Sequence, residues 1–190
     1  MKRCQWAENT FEAYTRYHDE EWGVPVHDDR IHFEFLTLES AQSGLSWATI
    51  LKKREGYRQA FAEFDYEQVA SFDQARYEAL LQNPSIIRNK LKIGATINNA
   101  GRFIDVIEEF GSFDAYIWRF VDGQPIVNHW TETNPGPSKS ELSDKISKDL
   151  KKRGFKFVGS TTIYSQLEAT GLLNNHLVSC FRHEEVQKLH

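Results

Sequence analysis

The sequence has 190 residues, of which 40% are hydrophobic and 26% charged, and its formal net charge is −4. This length fits one domain with a core of its own, and the charge argues against a wholly basic nucleic-acid coat protein, although a local basic patch stays possible. Two cysteines exclude a disulfide-rich scaffold, the N-terminal residues lack an apolar signal core, and no apolar stretch approaches the roughly 20 residues that span a bilayer. We therefore expect a cytoplasmic protein with no membrane partner.

Capping residues and apolar spacing predict helices along most of the chain. Asp28 or Asp29, Ser46 and Asp73 precede apolar periodic segments, and Asp65 with Gln68 resembles a capping box. These signals predict helices at about 28–43, 46–64, 73–83, 89–110, 112–121, 141–153 and 160–170, with a short last helix over 176–180. The Pro-rich segment 123–137 is predicted to be a surface loop. The predicted fold class is all-α, with eight or nine helices.

Charge is unevenly distributed along the chain. Residues 1–41 carry four basic and nine acidic side chains, residues 86–104 four basic and no acidic ones, and residues 139–156 seven basic and three acidic ones. Lys52, Lys53 and Arg54 form a third basic cluster. Clusters of this kind are usually solvated helix faces, but three of them favour a surface that contacts phosphates.

Both cysteines have a histidine near them in sequence. Cys4 precedes His18 by fourteen positions, and His176 and Cys180 stand at i and i+4, which places them on one face if the segment is helical. Two thiolates and two imidazoles form a tetrahedral zinc set. The spacing alone leaves open that the cysteines are unrelated free thiols and the histidines ordinary surface residues.

Several blocks of sequence together resemble one known family. They are CQW at 4–6, YHDEEWGVP at 17–25, ESAQSGLSW at 39–47 continuing to LKKRE at 51–55, IIRNKLKI at 86–93, KKRGFKFVG at 151–159, and the segment from His176 to Cys180. In order and spacing these blocks are similar to those of the DNA-3-methyladenine glycosylases I, bacterial base-excision repair enzymes of the helix-hairpin-helix glycosylase superfamily. The resemblance covers almost the whole chain.

The resemblance implies a monomeric enzyme that removes 3-methyladenine from double-stranded alkylated DNA and binds a structural Zn²⁺. Its zinc ligands correspond to Cys4, His18, His176 and Cys180. It also implies one glycosylase unit over residues 1–190. In this unit, zinc-linked terminal segments, roughly 1–25 and 160–190, pack beside a helix-hairpin-helix core of roughly 28–158.

The first quarter of the chain holds the residues that a pocket for a cationic purine needs. Aromatic faces attract a cation and stack on a base, and a carboxylate accepts a hydrogen bond from the exocyclic amine. By the resemblance, Glu39 and Tyr17 hydrogen-bond the base as the catalytic pair and Trp47 stacks on it. The other rings of the expected pocket are Trp6, Tyr14 and Trp22. Taken alone, Glu39 would be interpreted as a partly exposed helix charge.

A base inside a duplex must be flipped out to be reached, and an apolar plug can fill the gap that it leaves. Gly44 and Leu45, at a predicted turn between helices, suit this role, although a leucine there is otherwise a core residue. The other expected DNA contacts are Lys52, Arg88 and Lys90. The predicted hairpin 83–88 lacks the superfamily's usual glycines, and residues 91–102 contain no aspartate. A monofunctional glycosylase without a lysine Schiff base is therefore expected.

Three alternatives remain at this stage. The chain could be a non-catalytic, zinc-stabilised DNA-binding module of the same fold, a glycosylase for another alkylated purine, or a helical interaction protein whose core is rich in aromatic rings. Loss of Glu39 or Trp47 would favour the first, and neither is lost. By default, the side chains that no motif accounts for are interpreted as core or surface residues: Trp118, Trp130, His27, His32 and His129.

Overall fold

The computed structural model describes residues 1–189, which form a mostly helical fold. Within that range there are ten α-helices: α1 (Glu12–Glu20), α2 (Asp29–Gln42), α3 (Trp47–Ala60), α4 (Tyr66–Ala70), α5 (Gln74–Gln82), α6 (Lys90–Phe110), α7 (Phe113–Trp118), α8 (Glu141–Lys152), α9 (Ser160–Ala169) and α10 (Arg182–Glu185). Two short strands, β1 (Ile126–Val127) and β2 (Leu173–Asn174), pair in parallel, with Ile126 opposite Leu173. Within these residues no helix is both long and apolar enough to cross a membrane.

The predicted helix starts are confirmed where a side chain caps the helix. The side-chain oxygens of Asp28, Ser46, Asp65 and Asp73 accept hydrogen bonds from backbone amides in the first turns of α2, α3, α4 and α5. Asn89 and Ser112 cap α6 and α7 in the same way. At the C-terminus of α2, Gly44 has a φ of +77°, a left-handed conformation that favours glycine after a helix.

Five of the sequence predictions are wrong in detail. Helix α3 ends at Ala60 rather than Phe64, because Ala62, Glu63 and Phe64 all adopt positive φ. Helix α9 starts at Ser160, so its N-cap is Gly159. The loop 123–137 contains β1. The last helix is α10, and residues 176–180, which were predicted to be helical, form no helix. The short helices α4 and α10 bring the number of α-helices to ten rather than eight or nine.

Helix α2 lies at the centre of the fold and is buried on all sides over residues 32–41. It packs against α3, α6, α7 and α9, which explains why it lacks a polar face. The carboxylate of Glu34 on α2 is neutralised by the guanidinium of Arg54, at 2.7 Å. Arg54 is 8% exposed and also pairs with Glu21, so it does not belong to a solvated basic cluster as predicted.

The connection between α5 and α6 is held closely against α3. A Cβ atom at Gly56 would lie 2.3 Å from the carbonyl oxygen of Ser85, so only glycine permits this approach. Lys53 donates a hydrogen bond to the carbonyl oxygen of Pro84. From the first turn of α6, Lys92 Nζ donates to the carbonyl oxygens of Ala41 (2.8 Å) and Ser43 (2.6 Å). These contacts hold the α5–α6 connection against α3 and the start of α6 against the turn that follows α2.

Candidate metal centre and base cavity

Four buried side chains from distant parts of the sequence form a group able to hold a metal ion. One ligand atom from each of Cys4, His18, His176 and Cys180 lies within 4.8 Å of the others. The Cys180 sulfur is 3.5 Å from His18 Nε2 and 3.6 Å from His176 Nδ1, and the Cys4 sulfur is 3.8 Å from His176 Nδ1. The predicted i, i+4 pair therefore meets, but through a turn in which the Cys180 amide donates to the Leu177 carbonyl oxygen, not on a helix.

The second ring nitrogen of each histidine is already hydrogen-bonded. His18 Nδ1 lies 2.7 Å from the carboxylate of Asp19, and His176 Nε2 lies 2.8 Å from the carbonyl oxygen of Trp22. Because both partners are acceptors, these nitrogens carry the protons, and the nitrogens that face the sulfurs are left as bases. A hydrogen bond from the Cys4 thiol lowers the pKa of the Cys180 thiol below its usual range. Deprotonated sulfur and neutral imidazole are the forms that bind metals.

All six residues predicted for the base pocket line a single cavity of about 430 Å³ beside this group. The aromatic walls come from Trp6 in a short 3-10 turn at residues 5–7, from Tyr14 and Tyr17 on α1, from Trp22, and from Trp47 at the start of α3. The carboxyl group of Glu39 enters from α2. None of the lining residues, all of which lie within 1–189, is a lysine, arginine or histidine, so the walls combine aromatic faces with acidic groups.

Neither Glu39 nor Glu168 has a basic side chain beside it in the walls of this cavity. Glu39 is only 5% exposed, and burial together with the nearby Glu168 raises the pKa of its carboxyl well above 4.5. Burial and Glu39 also raise the pKa of Tyr17. A strongly shifted carboxyl in a cleft is a feature of functional sites.

The ring of Trp47 forms one wall next to Tyr17, with ring centroids 5.2 Å apart. Its indole N–H is buried and has no hydrogen-bond partner among the described residues. Buried donors are normally satisfied, so an unsatisfied one next to a cavity marks a place where a bound molecule can accept a hydrogen bond.

Sequence analysis missed several lining residues, of which Glu168 and Asn175 matter most. Glu168, near the end of α9, is the sole charged residue of that helix, and Asn175 follows β2. Burial raises the pKa of Glu168 to about 7. A single carboxyl in an otherwise uncharged helix is the sequence signal that could have identified it.

The predicted DNA contacts lie on the surface at two connections. Leu45 follows Gly44 in the turn between α2 and α3 and is 39% exposed, so it is not a core residue. Arg88 and Lys90 are exposed at the α5–α6 connection, and Lys52 is exposed on α3. None of these three cations has a salt-bridge partner in the range 1–189. In contrast, Arg153 from the basic segment 139–156 pairs with Asp149 and Glu109.

The residues interpreted by default as core or surface have structural contacts. Trp118 donates to the carbonyl oxygen of Val26 and stacks with His27, and His32 is fully buried beside Asp114. The ring of His129 packs against that of His183. Trp130 donates its indole N–H to Asn175 Oδ1 and is therefore part of the cavity wall's support.

Comparison with known proteins agrees with this architecture. Residues 6–183 match the family model for methyladenine glycosylase. The chain is 45% identical over 180 residues to DNA-3-methyladenine glycosylase 1 of Escherichia coli (strain K12), covering 95% of this chain and 96% of that protein.

Solved structures give the same result. A crystal structure of 3-methyladenine DNA glycosylase I superimposes with a TM-score of 0.90 at 46% identity, covering 95% of this chain and 98% of the other. A crystal structure of a variant of 3-methyladenine DNA glycosylase I in complex with 3-methyladenine gives a TM-score of 0.91 at 36% identity, covering 95% and 97%. The helical fold is thus one shared with DNA glycosylases. The chain belongs to the methyladenine glycosylase family.

Proposed function

We propose that this protein is a base-excision repair DNA glycosylase that hydrolyses the N-glycosidic bond of 3-methyladenine in alkylated DNA and leaves an abasic site. The observation that carries the proposal is the cavity, in which aromatic walls and buried carboxyls meet with no basic side chain. The activity named for the relatives supports it. The bound 3-methyladenine named for one solved relative supports the choice of substrate.

The chemistry of the lesion fits these walls. A 3-methyladenine nucleotide carries a positive charge on the purine, and its glycosidic bond is weak because the base departs as a neutral molecule. Glu39 accepts a hydrogen bond from the exocyclic amine and opposes the charge, while Tyr17 adds a second polar contact. Trp47 stacks on the base, and Trp6, Tyr14 and Trp22 complete the aromatic enclosure. Water then attacks the sugar, and no lysine is placed in the cavity walls to form a Schiff base.

The exposed turn between α2 and α3 is the proposed plug for the gap in the duplex. Gly44 allows close approach, and the partly exposed Leu45 enters the stack when the base is flipped. The α5–α6 connection serves as a helix-hairpin-helix element. Its Arg88 and Lys90, together with Lys52, contact backbone phosphates.

The metal that suits the four-residue group is Zn²⁺ in a structural role. Sulfur and nitrogen ligands at about 2.3 and about 2.0 Å from a tetrahedral zinc ion lie roughly 3.6 Å apart. The contacts between sulfur and nitrogen atoms in this group measure 3.5, 3.6 and 3.8 Å. When bound, the ion would crosslink the N-terminal segment to the turn at 176–180. Four protein ligands leave no site for an activated water.

We also propose that residues 1–190 form a single glycosylase unit that acts as a cytoplasmic monomer. In this arrangement the terminal segments, roughly 1–25 and 160–190, pack beside a core of roughly 28–158. The backbone amides of Gly23 and Val26 donate to the carbonyl oxygens of Glu168 and Thr170, which supports the joining of these segments.

The test of the function is base release from methylated duplex DNA, with products separated by chromatography. We expect free 3-methyladenine without strand cleavage. Release of a different alkylated purine would redirect the substrate assignment, and no release by folded, metal-loaded protein would refute the glycosylase.

The proposed plug is tested by Leu45→Ala, with Ile31→Ala as its matched control, since both side chains are 39% exposed and Ile31 lies in the first turn of α2, at the far end of that helix from Leu45. We expect Leu45→Ala to reduce base release from duplex DNA roughly tenfold, because the flipped state loses its apolar filling. Binding of free 3-methyladenine should stay unchanged. Equal rates for the two variants would remove Leu45 from the mechanism.

A further inference from the structure

A second carboxyl group, that of the half-buried Glu168, lines the same cavity as Glu39. Glu168 lies on α9 and Glu39 on α2, two helices that pack directly against each other. The proposed mechanism leaves Glu168 without a task. A carboxyl in this position costs free energy unless it is paired.

The orientation of the Glu168 carboxyl is set by Asn175. The Asn175 carbonyl oxygen accepts hydrogen bonds from Asn128 Nδ2 (2.7 Å) and from Trp130 Nε1 (3.0 Å). Both are donors, so the amide cannot be reversed, and its NH₂ group must face the other way. That NH₂ group donates to Glu168 Oε1 and to the Tyr164 hydroxyl oxygen, each at 2.8 Å.

This network leaves one oxygen of Glu168 for a ligand. Oε1 is occupied by Asn175, whereas Oε2 has no hydrogen-bond partner from residues 1–189. Glu39 and Glu168 thus share a cavity whose lining residues include no basic side chain, and the third lining carboxylate, that of the exposed Glu132, is paired with Lys2. The pKa values of the two carboxyls fit this arrangement: burial raises both, and the nearby Glu168 raises that of Glu39 further. A positively charged molecule is the ligand that relieves this repulsion.

We propose that Glu168 is a second recognition carboxyl, held by Asn175, that opposes the positive charge of the flipped purine and selects cationic over neutral bases. The inference rests on the proposed glycosylase function and extends it. Glu39 binds the amine edge of the base, and Glu168 supplies charge from α9. Discrimination against normal, neutral purines then depends on charge as well as on shape.

Charge selection can be measured with two free ligands that differ in charge and little in shape. These are 3,9-dimethyladeninium, a permanent cation, and neutral 9-methyladenine, titrated against the metal-loaded protein by tryptophan fluorescence. Glu168→Gln keeps an oxygen for Asn175 but removes the charge. Glu168→Asp keeps the charge, and Glu184→Gln removes an equal charge from the exposed surface of α10.

We expect Glu168→Gln to weaken binding of the cation roughly tenfold, the effect of losing one interaction with a charged group, and to leave binding of 9-methyladenine unchanged. The Asp variant should retain the preference, and Glu184→Gln should match the wild type. An unchanged preference in Glu168→Gln, or equal losses for both ligands, would overturn the role in charge selection. If the wild type releases 3-methyladenine while Glu168→Gln keeps full preference, only this inference fails. If the wild type releases no base, the proposed function fails.

Discussion

The candidate metal-binding group and the candidate base cavity are neighbours built from the same short stretches of chain, yet their polar atoms are arranged in opposite ways. Tyr17 lines the cavity and His18 belongs to the group; Asn175 lines the cavity and His176 belongs to the group. In the group, every ligand atom lies within 4.8 Å of the others. In the cavity, carboxyl and indole groups face about 430 Å³ of space instead of each other.

This difference separates a structural role from a binding role. Polar atoms that satisfy one another stabilise a fold, whereas buried polar atoms left without partners cost stability and are retained where a ligand completes them. Substitutions in the two places should therefore act on different measurements, even though some of the residues are adjacent in sequence.

The largest effect is expected from the metal-binding group. Cys180→Ser should lower Tm by roughly 10 °C, the shift that a loss of about 3 kcal/mol produces in a chain of this size, because the crosslink between the terminal segments is weakened. Calorimetry and metal analysis check this, with the exposed neighbour change Ser179→Ala as control. A variant that keeps full metal content and Tm but loses base release would contradict a purely structural role. It would also remove the distinction between the metal-binding group and the cavity.

The next effect is expected in the cavity and in activity only. Glu39→Gln should reduce single-turnover base release roughly 10- to 100-fold, because a charge-assisted contact to the cationic base is lost. Its Tm should stay the same or rise, since burial already disfavours the carboxylate. A fall in Tm comparable to that of Cys180→Ser, with activity preserved, would show that Glu39 is a structural residue.

The smallest effect is a dependence of stability on pH. Burial raises the folded-state pKa of Glu168 from 4.5 to about 7, and it also raises that of Glu39. The folded protein then binds protons more tightly than the unfolded chain, so both carboxyls favour folding at low pH, and this contribution is lost as pH rises from about 4.5 to about 7.

The measurement is urea denaturation of wild type and Glu168→Gln across that range at constant metal saturation. The difference in unfolding free energy between the two proteins should change in favour of the variant as pH rises. A constant difference would mean that the Glu168 carboxyl titrates normally, and that its surroundings are more polar than the structure indicates.

Sequence reasoning succeeded where structure depends on neighbours along the chain. Asp28, Ser46, Asp73 and Asn89 each cap the helix that follows, because a cap is a contact between residues two or three positions apart. It failed at the left-handed turn 62–64, where three ordinary residues adopt positive φ without a glycine to signal it.

The site was predicted unevenly for the same reason. The resemblance identified Glu39, Tyr17, Trp47 and the four candidate ligands, and the clustering of aromatic residues added Trp6, Tyr14 and Trp22. The structure places each set together. Arg54 was assigned to a basic surface, but it is buried because Glu34 and Glu21 reach it from α2 and the end of α1. Glu168 was missed although it is the sole charged residue of α9, because its place in the cavity depends on α9 packing against α2. Asn175 was missed because its contacts are with residues distant in sequence, such as Asn128 and Trp130.

The hydrogen bonds that join the two terminal segments have a consequence for the order in which the molecule is made. The Cys4 sulfur meets His176, 172 positions away, and the Phe181 amide donates to the carbonyl oxygen of Lys2. Contacts at such separation close the largest loops in the chain and form late in folding. Asn175, which lines the cavity, and the candidate ligand Cys180 are synthesised after helices α1 to α9. A growing chain therefore contains nine of the ten described α-helices before its cavity is complete.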